Sequence, residues 1–337
     1  MSEYNYMADT ITDYSELKEH SSNPESDRYI PSCMEMYIMS LQKSFCDELS
    51  AIEGRQFTVD RWNRPFDSKL GSPGGGGITC ILQDGDVFEK AGVNISVVHG
   101  TMSKAAIEQM KSTGKELFGD SVPFTAMGIS SVIHPINPFV PTVHFNYRYF
   151  EIPGEKKYWW FGGGTDLTPS YLNKEDAIHF HTTLKNACDE HDKEYYPKFK
   201  KWCDEYFYIK HRGEGRGLGG IFFDDLNYVP AEEALSFIKS CGNAVVPAYI
   251  PIVKKHKDDK YTDDEVQWRL LRRGRYVEFN LVLDRGTKFG LHTENVRIES
   301  VLMSLPLTAR WEYMHEPGVR ESELLEVLRK PVQWCTE

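Results

Sequence analysis

The sequence predicts an α+β fold, with one broad and largely antiparallel β-sheet covered by helices. Three observations lead there. Several short segments alternate apolar and polar residues and are joined by Gly/Pro turns, the pattern of antiparallel strands. Segments with apolar residues three and four apart cluster after those strands instead of alternating with them, which separates α+β from a parallel α/β fold. The chain has 337 residues, with 40% hydrophobic and 26% charged, and shows no internal repeat or clear interdomain linker.

Residues 1–30 are polar and include Ser21-Ser-Asn-Pro-Glu-Ser26, which reads as a mobile leader or irregular wrap before a single domain over 31–337. From Pro31 to Ile52, Met34, Tyr37, Ile38, Leu41, Phe45 and Leu49 recur at helical spacing. The run Gly71-Ser-Pro-Gly-Gly-Gly-Gly77 follows. A phosphate loop ends in Lys-Ser/Thr and opens a helix; here the strand-like Ile78–Leu82 comes next, so the run reads as a sharp turn or close backbone approach. Strands are expected at Val87–Phe88, Asn94–Val98, Ser130–Ile133, Thr142–Ile152, Lys157–Phe161, Gly219–Phe223 and Tyr276–Leu283. Helices are expected at Lys104–Phe118, Lys174–Glu190, Tyr195–Tyr208, Ala231–Ile252, Asp263–Arg273, Arg297–Met303 and Glu321–Leu328.

Net charge is −11, from 39 basic and 50 acidic residues, which argues against a nucleic-acid partner. No window approaches eighteen uninterrupted apolar residues, so no membrane span is expected. The seven cysteines are scattered and form no CxxC pair, against a disulfide framework or structural zinc site and for a reducing compartment. The N-terminus has neither the apolar run of a signal peptide nor the arginines of a transit peptide, so a cytoplasmic location is expected.

The strand Thr142–Ile152 has the most pointed chemistry. His144, Asn146 and Arg148 alternate with Val143, Phe145, Tyr147 and Tyr149, so an imidazole, an amide and a guanidinium share one face. A strand with one solvated face shows the same alternation. Arg148, Arg212, Arg216, Arg272, Arg273, Arg275, Arg285 and Arg297 lie beside glycines or predicted strand ends, which suits a substrate with several carboxylates; local pairing with Asp or Glu is the plainer use. Asp166 follows three glycines and Thr165, either as an acceptor facing a ligand or as a turn aspartate before Leu167-Thr-Pro169. His179-Phe-His181 falls in a predicted helix, where i and i+2 do not share a face, and is not a local metal motif. Neither a GxSxG elbow nor a strand-to-helix GxGxxG is present.

Taken together, His134–Glu151, Trp159–Pro169, Lys200–Asp225 and Arg272-Arg-Gly-Arg-Tyr-Val-Glu-Phe-Asn280 through Trp311-Glu-Tyr313 strongly resemble the oxygen-dependent coproporphyrinogen-III oxidases, from about residue 31 to the C-terminus. The resemblance implies a flat antiparallel sheet sandwiched between helices and a homodimer, with a dimerisation region from about Tyr276 to Glu312. It implies oxidative decarboxylation of two propionates of coproporphyrinogen III to vinyls by O2, giving protoporphyrinogen IX, CO2 and H2O2 in haem biosynthesis, with no organic cofactor.

Residue by residue, the resemblance makes His144 the proton donor and Ser130, Asn146, Tyr147, Arg148, Arg212 and Arg216 substrate contacts. Asp166 is similar to the aspartate that holds the pyrrole N–H groups, and Arg148 orients a propionate. In some bacterial members four histidines are described as metal ligands; they align with His134, His144, His181 and His211, and no metal is expected here. The triplet Asn295, Val296 and Arg297 matches a substrate-contacting segment, but Asn295 and Val296 replace the usual small residues. The run Phe66–Pro73 is longer than usual. Two other readings fit the same residues: a metal-dependent oxygenase or decarboxylase built on the histidines, and a tetrapyrrole carrier without activity.

Overall fold

The computed structural model describes residues 10–64, 66–67, 72–102, 104, 107–108, 110, 116, 122–154, 156–292 and 296–335. Seven strands form the central sheet: β1 (Thr58–Asn63), β2 (Gly75–Gln83), β3 (Phe88–Thr101), β4 (Pro123–Pro135), β5 (Thr142–Ile152), β6 (Tyr158–Thr168) and β7 (Gly219–Leu226). Each pairs antiparallel with the next in sequence, so the sheet is a meander. Two-residue ladders, Phe66–Asp67 with Ser72–Pro73 and Tyr208–Ile209 with Glu214–Gly215, lie outside it.

Period-two alternation makes the two sheet faces chemically different. One face carries Ile78, Val93, Ile95, Ile129, Val143, Phe145, Tyr147, Phe161, Leu167, Ile221 and Phe223, all buried in the main core. That face is covered by α2 (Tyr29–Glu53), α3 (Lys174–Asp189), α5 (Ala231–Asn243) and α6 (Val245–His256), which contribute Ile38, Phe45, Phe180, Leu184, Phe237 and Tyr249. Phe45 meets Phe145 edge-on with centroids 5.2 Å apart, an arrangement that matches the positive edge of one ring to the negative face of the other. α4 (Tyr195–Tyr206) runs along the β7 edge: Tyr195 and Phe199 join the main core, whereas Cys203 and the following Phe207 pack with Phe222 and Phe279 on the other side.

The second face is covered by the C-terminal third. α7 (Asp263–Glu278) starts with a reciprocal Thr262–Glu265 capping box and runs into a π-helical turn over Phe279–Leu283. α8 (Arg285–His292) and α9 (Ile298–Leu302) follow, and α10 (Val319–Arg329) closes the set. Met303 lies directly on Gly92: a Cβ there would fall 1.6 Å from its sulfur. Asn94 donates to the Ser300 carbonyl at 3.0 Å, so this cover is bonded to the sheet it crosses.

The antiparallel α+β expectation stands, with four corrections. Tyr276–Leu283 was expected as a strand; Tyr276 to Glu278 ends α7 and the remainder is π-helical. The alternation there matches a half-buried helix end as well as a strand, because Tyr276 and Phe279 lie i,i+3 on one face. The expected helix Ala231–Ile252 is two helices meeting at Ala244. The glycine run is not wholly a loop: Gly75–Gly77 open β2 and pair with Val98–Ser96. The expected leader contains α1 (Tyr14–Ser21), N-capped by Asp13 and with Leu17 buried, and Glu35 of α2 accepts from Thr12 N and Oγ1, each at 2.8 Å. Most of the expected helix Lys104–Phe118 lies outside the described residues.

Candidate active site

β5 is the axis of the site. In register, His144, Asn146 and Arg148 stand opposite Asp166, Gly164 and Gly162 of β6. On the other side, Asn146 stands opposite Ser130 and Arg148 opposite Gly128. The polar row continues through Asn94 and Thr79. The result is a floor of short or absent side chains from which three polar groups rise.

Asp166 is buried, with 2% of its surface exposed, and both carboxylate oxygens are engaged. His144 Nδ1 donates to Oδ1 at 2.7 Å and Arg216 Nη2 donates to Oδ2 at 2.7 Å. Burial alone would push this carboxyl up, but the Arg216 and then the His144 interactions outweigh it and hold Asp166 below the usual carboxylate range. The carboxylate therefore keeps the His144 proton on Nδ1, which leaves Nε2 facing Asn146. Asn146 Nδ2 lies 3.5 Å from that Nε2.

Arg216 is itself enclosed. Its guanidinium carbon lies 4.0 Å from the Phe207 centroid, 4.5 Å from Tyr276 and 4.8 Å from Phe279. Nη1 donates to Asn280 Oδ1 at 2.9 Å. Burial works against the cation, but Asp166 more than compensates and raises the Arg216 pKa. Weakly hydrated guanidinium suits an aromatic box better than an ammonium would.

Arg148 is more open, with 38% of its side chain exposed. It donates to Asn146 Oδ1 and lies 3.1 Å from Asp224. Gly162 makes this possible, because a Cβ there would stand 2.8 Å from Arg148 Cζ and 2.7 Å from Asp224 Oδ1. Asp224 precedes a β-bulge in β7. The extra residue Asp225 sits at φ 50°, and the bulge returns Leu226 to the core while Asp224 stays on the site face. Arg285 approaches the same carboxylate from α8 at 3.6 Å.

The remaining sequence-predicted residues divide. Ser130 is half-buried on the floor beside Asn146. Tyr147 points the other way: its side chain is fully buried in the core and shares a 2.6 Å hydroxyl contact with Thr165, so only its backbone faces the cleft. Arg212 grips Glu278 through Nε at 2.8 Å and Nη2 at 2.6 Å. Arg297 pairs with Asp60 at the β1 edge, Val296 is half-buried, and Asn295 lies outside the described residues.

The four histidines do not come together, and among the described residues no group of His, Cys, Asp and Glu could hold a metal ion. His134 Nε2 donates to the Ser304 carbonyl at 2.9 Å, and burial followed by Arg273 pushes its pKa well down. His181 accepts from Tyr196 at 2.9 Å and donates to the Leu218 carbonyl at 3.1 Å; burial and Lys200 lower it to about 3. His211 bonds Glu278 at 2.8 Å. These donors do not fit a shared metal.

The sequence reading missed Asn280, Asp224 and Glu278. Reading Tyr276–Leu283 as a strand hid Asn280 and Glu278: period two puts Tyr276, Glu278 and Asn280 on one face, whereas the helical turn brings Asn280, four residues after Tyr276, to Arg216 and gives Glu278 to Arg212. Asp224 was legible as the end of a strand facing the same way as Phe222.

Comparison with known proteins identifies the family. Residues 33–334 match the coproporphyrinogen III oxidase family model. The rat oxygen-dependent coproporphyrinogen-III oxidase, named as mitochondrial, is 60% identical over 336 residues, covering 98% of this chain and 73% of the relative. The human mitochondrial protein of the same name is 58% identical, over 98% of this chain and 71% of its own length. Coproporphyrinogen-III oxidase 1 of Arabidopsis thaliana, named as chloroplastic, is 57% identical over 309 residues, 89% of this chain and 78% of the relative. A chain that matches this model over almost its whole length, and its relatives at this identity, belongs to the coproporphyrinogen III oxidase family.

Proposed function

We infer that this floor carries out the reaction its relatives are named for, the oxygen-dependent oxidation of coproporphyrinogen III in haem biosynthesis. The observation that carries the reading is the union of a glycine-lined sheet face with the His144–Asp166–Arg216 relay and the half-open Arg148. A broad tetrapyrrole needs a flat bed, and its propionates need guanidinium partners.

Each of two propionates is converted in the same way. A hydrogen leaves the propionate carbon next to the pyrrole. The bond to the carboxylate breaks as CO2 departs, and its electron pair forms the vinyl. O2 takes two electrons and two protons as H2O2, so a propionic acid and O2 give a vinyl, CO2 and H2O2. In our proposal O2 reacts directly with the electron-rich pyrrole, without an organic cofactor or metal.

The residues take distinct roles in this reading. Arg148 holds the reacting propionate, displacing its present partner Asp224, and Asn146 and Ser130 bond the substrate edge. His144 moves a proton through Nε2, held in one tautomer by Asp166. Asp166 accepts pyrrole N–H bonds with its remaining lone pairs and stabilises positive charge on the oxidised ring. Arg216 acts through Asp166, and Arg212, Val296 and Arg297 are further substrate contacts in this reading.

We further propose a homodimer. Leu281, Val282, Leu291, Ile298 and Leu307 are exposed large apolar side chains within one stretch of the C-terminal cover, a surface that a second copy would bury. All seven cysteines are unpaired, which supports a reducing location such as the cytoplasm. Among the described residues no helix is long and apolar enough to cross a membrane.

The test is product formation from coproporphyrinogen III by chelator-treated protein, with and without O2. Protoporphyrinogen IX formed only with O2 supports the reading. Activity that returns only with added metal overturns the metal-free chemistry, and binding without O2 consumption would make the protein a carrier.

A further inference from the structure

We propose that a second cavity, ringed by Arg269, Arg272 and Arg273 of α7, binds one small planar oxyanion, a carboxylate group or bicarbonate. The cavity is a small recess open to solvent, also lined by Thr142, Thr168 and Tyr276. Thr142 and Thr168 are register partners two residues beyond His144 and Asp166. The cavity thus opens where the catalytic strands end, and none of the three arginines belongs to the relay above.

Hydrogen-bond accounting points to an anion. Arg272 donates through Nη1 to Glu214 at 2.6 Å, but its buried Nε and Nη2 have no partner among the described residues. Nε and Nη2 form the same guanidinium edge with which Arg212 grips both oxygens of Glu278. An unfilled edge of this kind matches a planar oxyanion through two parallel bonds. Arg269 likewise leaves Nε and Nη1 buried and unpartnered, and the Thr168 hydroxyl is unpartnered beside them. Arg269, Arg272 and Arg273 are only 9%, 4% and 4% exposed, so bulk water does not meet this need.

Charge accounting agrees. The three guanidiniums touch two carboxylates, Glu214 with Arg272 and Glu89 with Arg273, which leaves one positive charge over (3 − 2). Arg273 is pushed down to about 10 by burial and then by Arg269, the sign of crowded cations. One bound monoanion balances the set.

The oxyanion has two possible sources: a propionate of the bound tetrapyrrole or a free ion from solution. Arg269→Met is the clean variant, because Arg269 holds no carboxylate that its loss would orphan. The whole protein is titrated with sodium formate against sodium chloride at matched ionic strength, and thermal unfolding is followed. A saturable formate-specific rise in Tm, roughly 4 °C at about one hundred times its Kd, that disappears in Arg269→Met is the expected result. The same formate response in both proteins, or none in the wild type, overturns the proposal. Thr168→Val, which removes one hydroxyl and no charge, should weaken formate binding by about threefold to tenfold. Steady-state kinetics then separate the sources. Formate competing with coproporphyrinogen III, and a raised KM in Arg269→Met, identify a substrate propionate; an unchanged KM without competition identifies a free ion. The unfolding readout needs no turnover, so its failure is distinct from failure of the oxidase reading.

Discussion

The two faces of β5 are built from the same eleven residues and do opposite work. Val143, Phe145, Tyr147 and Tyr149 are at most 1% exposed and sit among helices; His144, Asn146 and Arg148 stand over glycines and carboxylates. On the first face a side chain is chosen for volume, and energy is spread over many weak contacts. On the second it is chosen for its charge and hydrogen-bond geometry, and few partners matter. Mutations should therefore separate into those that change stability and those that change turnover. Asp166 is where the two meet, because it is a site residue that is as buried as the core.

The largest effect is expected there. Asp166→Ala leaves Arg216 buried without its carboxylate, a loss of about 3–5 kcal/mol, and frees the His144 ring. Because the pair is buried, this substitution should harm both stability and turnover. Urea unfolding and turnover measured together check this, and near-normal turnover would sink the assigned role. Phe145→Ala is the pure contrast from the opposite face. It should cost about 3–5 kcal/mol while the folded fraction turns over at the wild-type rate. His144→Ala shifts the balance towards turnover: kcat should drop by about 10² to 10⁴, with a stability loss of about 1–3 kcal/mol because Asp166 Oδ1 loses its partner while Arg216 keeps Oδ2. If Phe145→Ala abolished turnover in fully folded protein, the division between faces would fail.

The pH dependence sharpens the comparison further. His181 is buried neutral and its folded pKa is about 3, against 6.5 unfolded. The unfolded chain binds the extra proton, so stability contributed by the neutral ring is complete above pH 6.5 and is lost as pH falls toward 3. Across that window the slope is at most about 1.4 kcal/mol per pH unit from this group. His181→Gln should flatten the pH dependence of unfolding between 6.5 and 4 while turnover at neutral pH survives. The smallest effect is expected at Arg148, the most exposed of the three β5 groups. Arg148→Lys keeps the charge but loses the fork, and KM should rise by roughly tenfold with the Tm unchanged; an unaltered KM would remove Arg148 from propionate binding.

How much was legible in sequence depended on the range of the interaction. The β5 alternation, the α2 stripe and the antiparallel class rest on neighbours two to four residues apart, and the structure has them where periodicity puts them. Tyr276–Leu283 failed because a helix end packed on an aromatic arginine box carries apolar residues at positions that also satisfy a strand. The glycine run was half legible: the close backbone approach is there, with a Cβ on Gly75 falling 2.0 Å from the Val97 carbonyl oxygen, but the strand pairing of Gly75–Gly77 comes from β1 and β3, not from any propensity of glycine.

The chain's sequence by itself determined which residues share a face, because side-chain direction is a local consequence of backbone geometry. It also determined family membership, through long motifs around His144, Asp166 and Arg216. Only the tertiary structure decided that Arg216 belongs to Asp166 and Arg212 to Glu278, since both arginines lie in one short loop while their carboxylates lie 50 and 66 residues away. The same holds for the separation of the four histidines and for the crowding of Arg269, Arg272 and Arg273 against the strand ends. Pairing between charges depends on distance and dielectric in space, and neither is written in the order of residues along the chain.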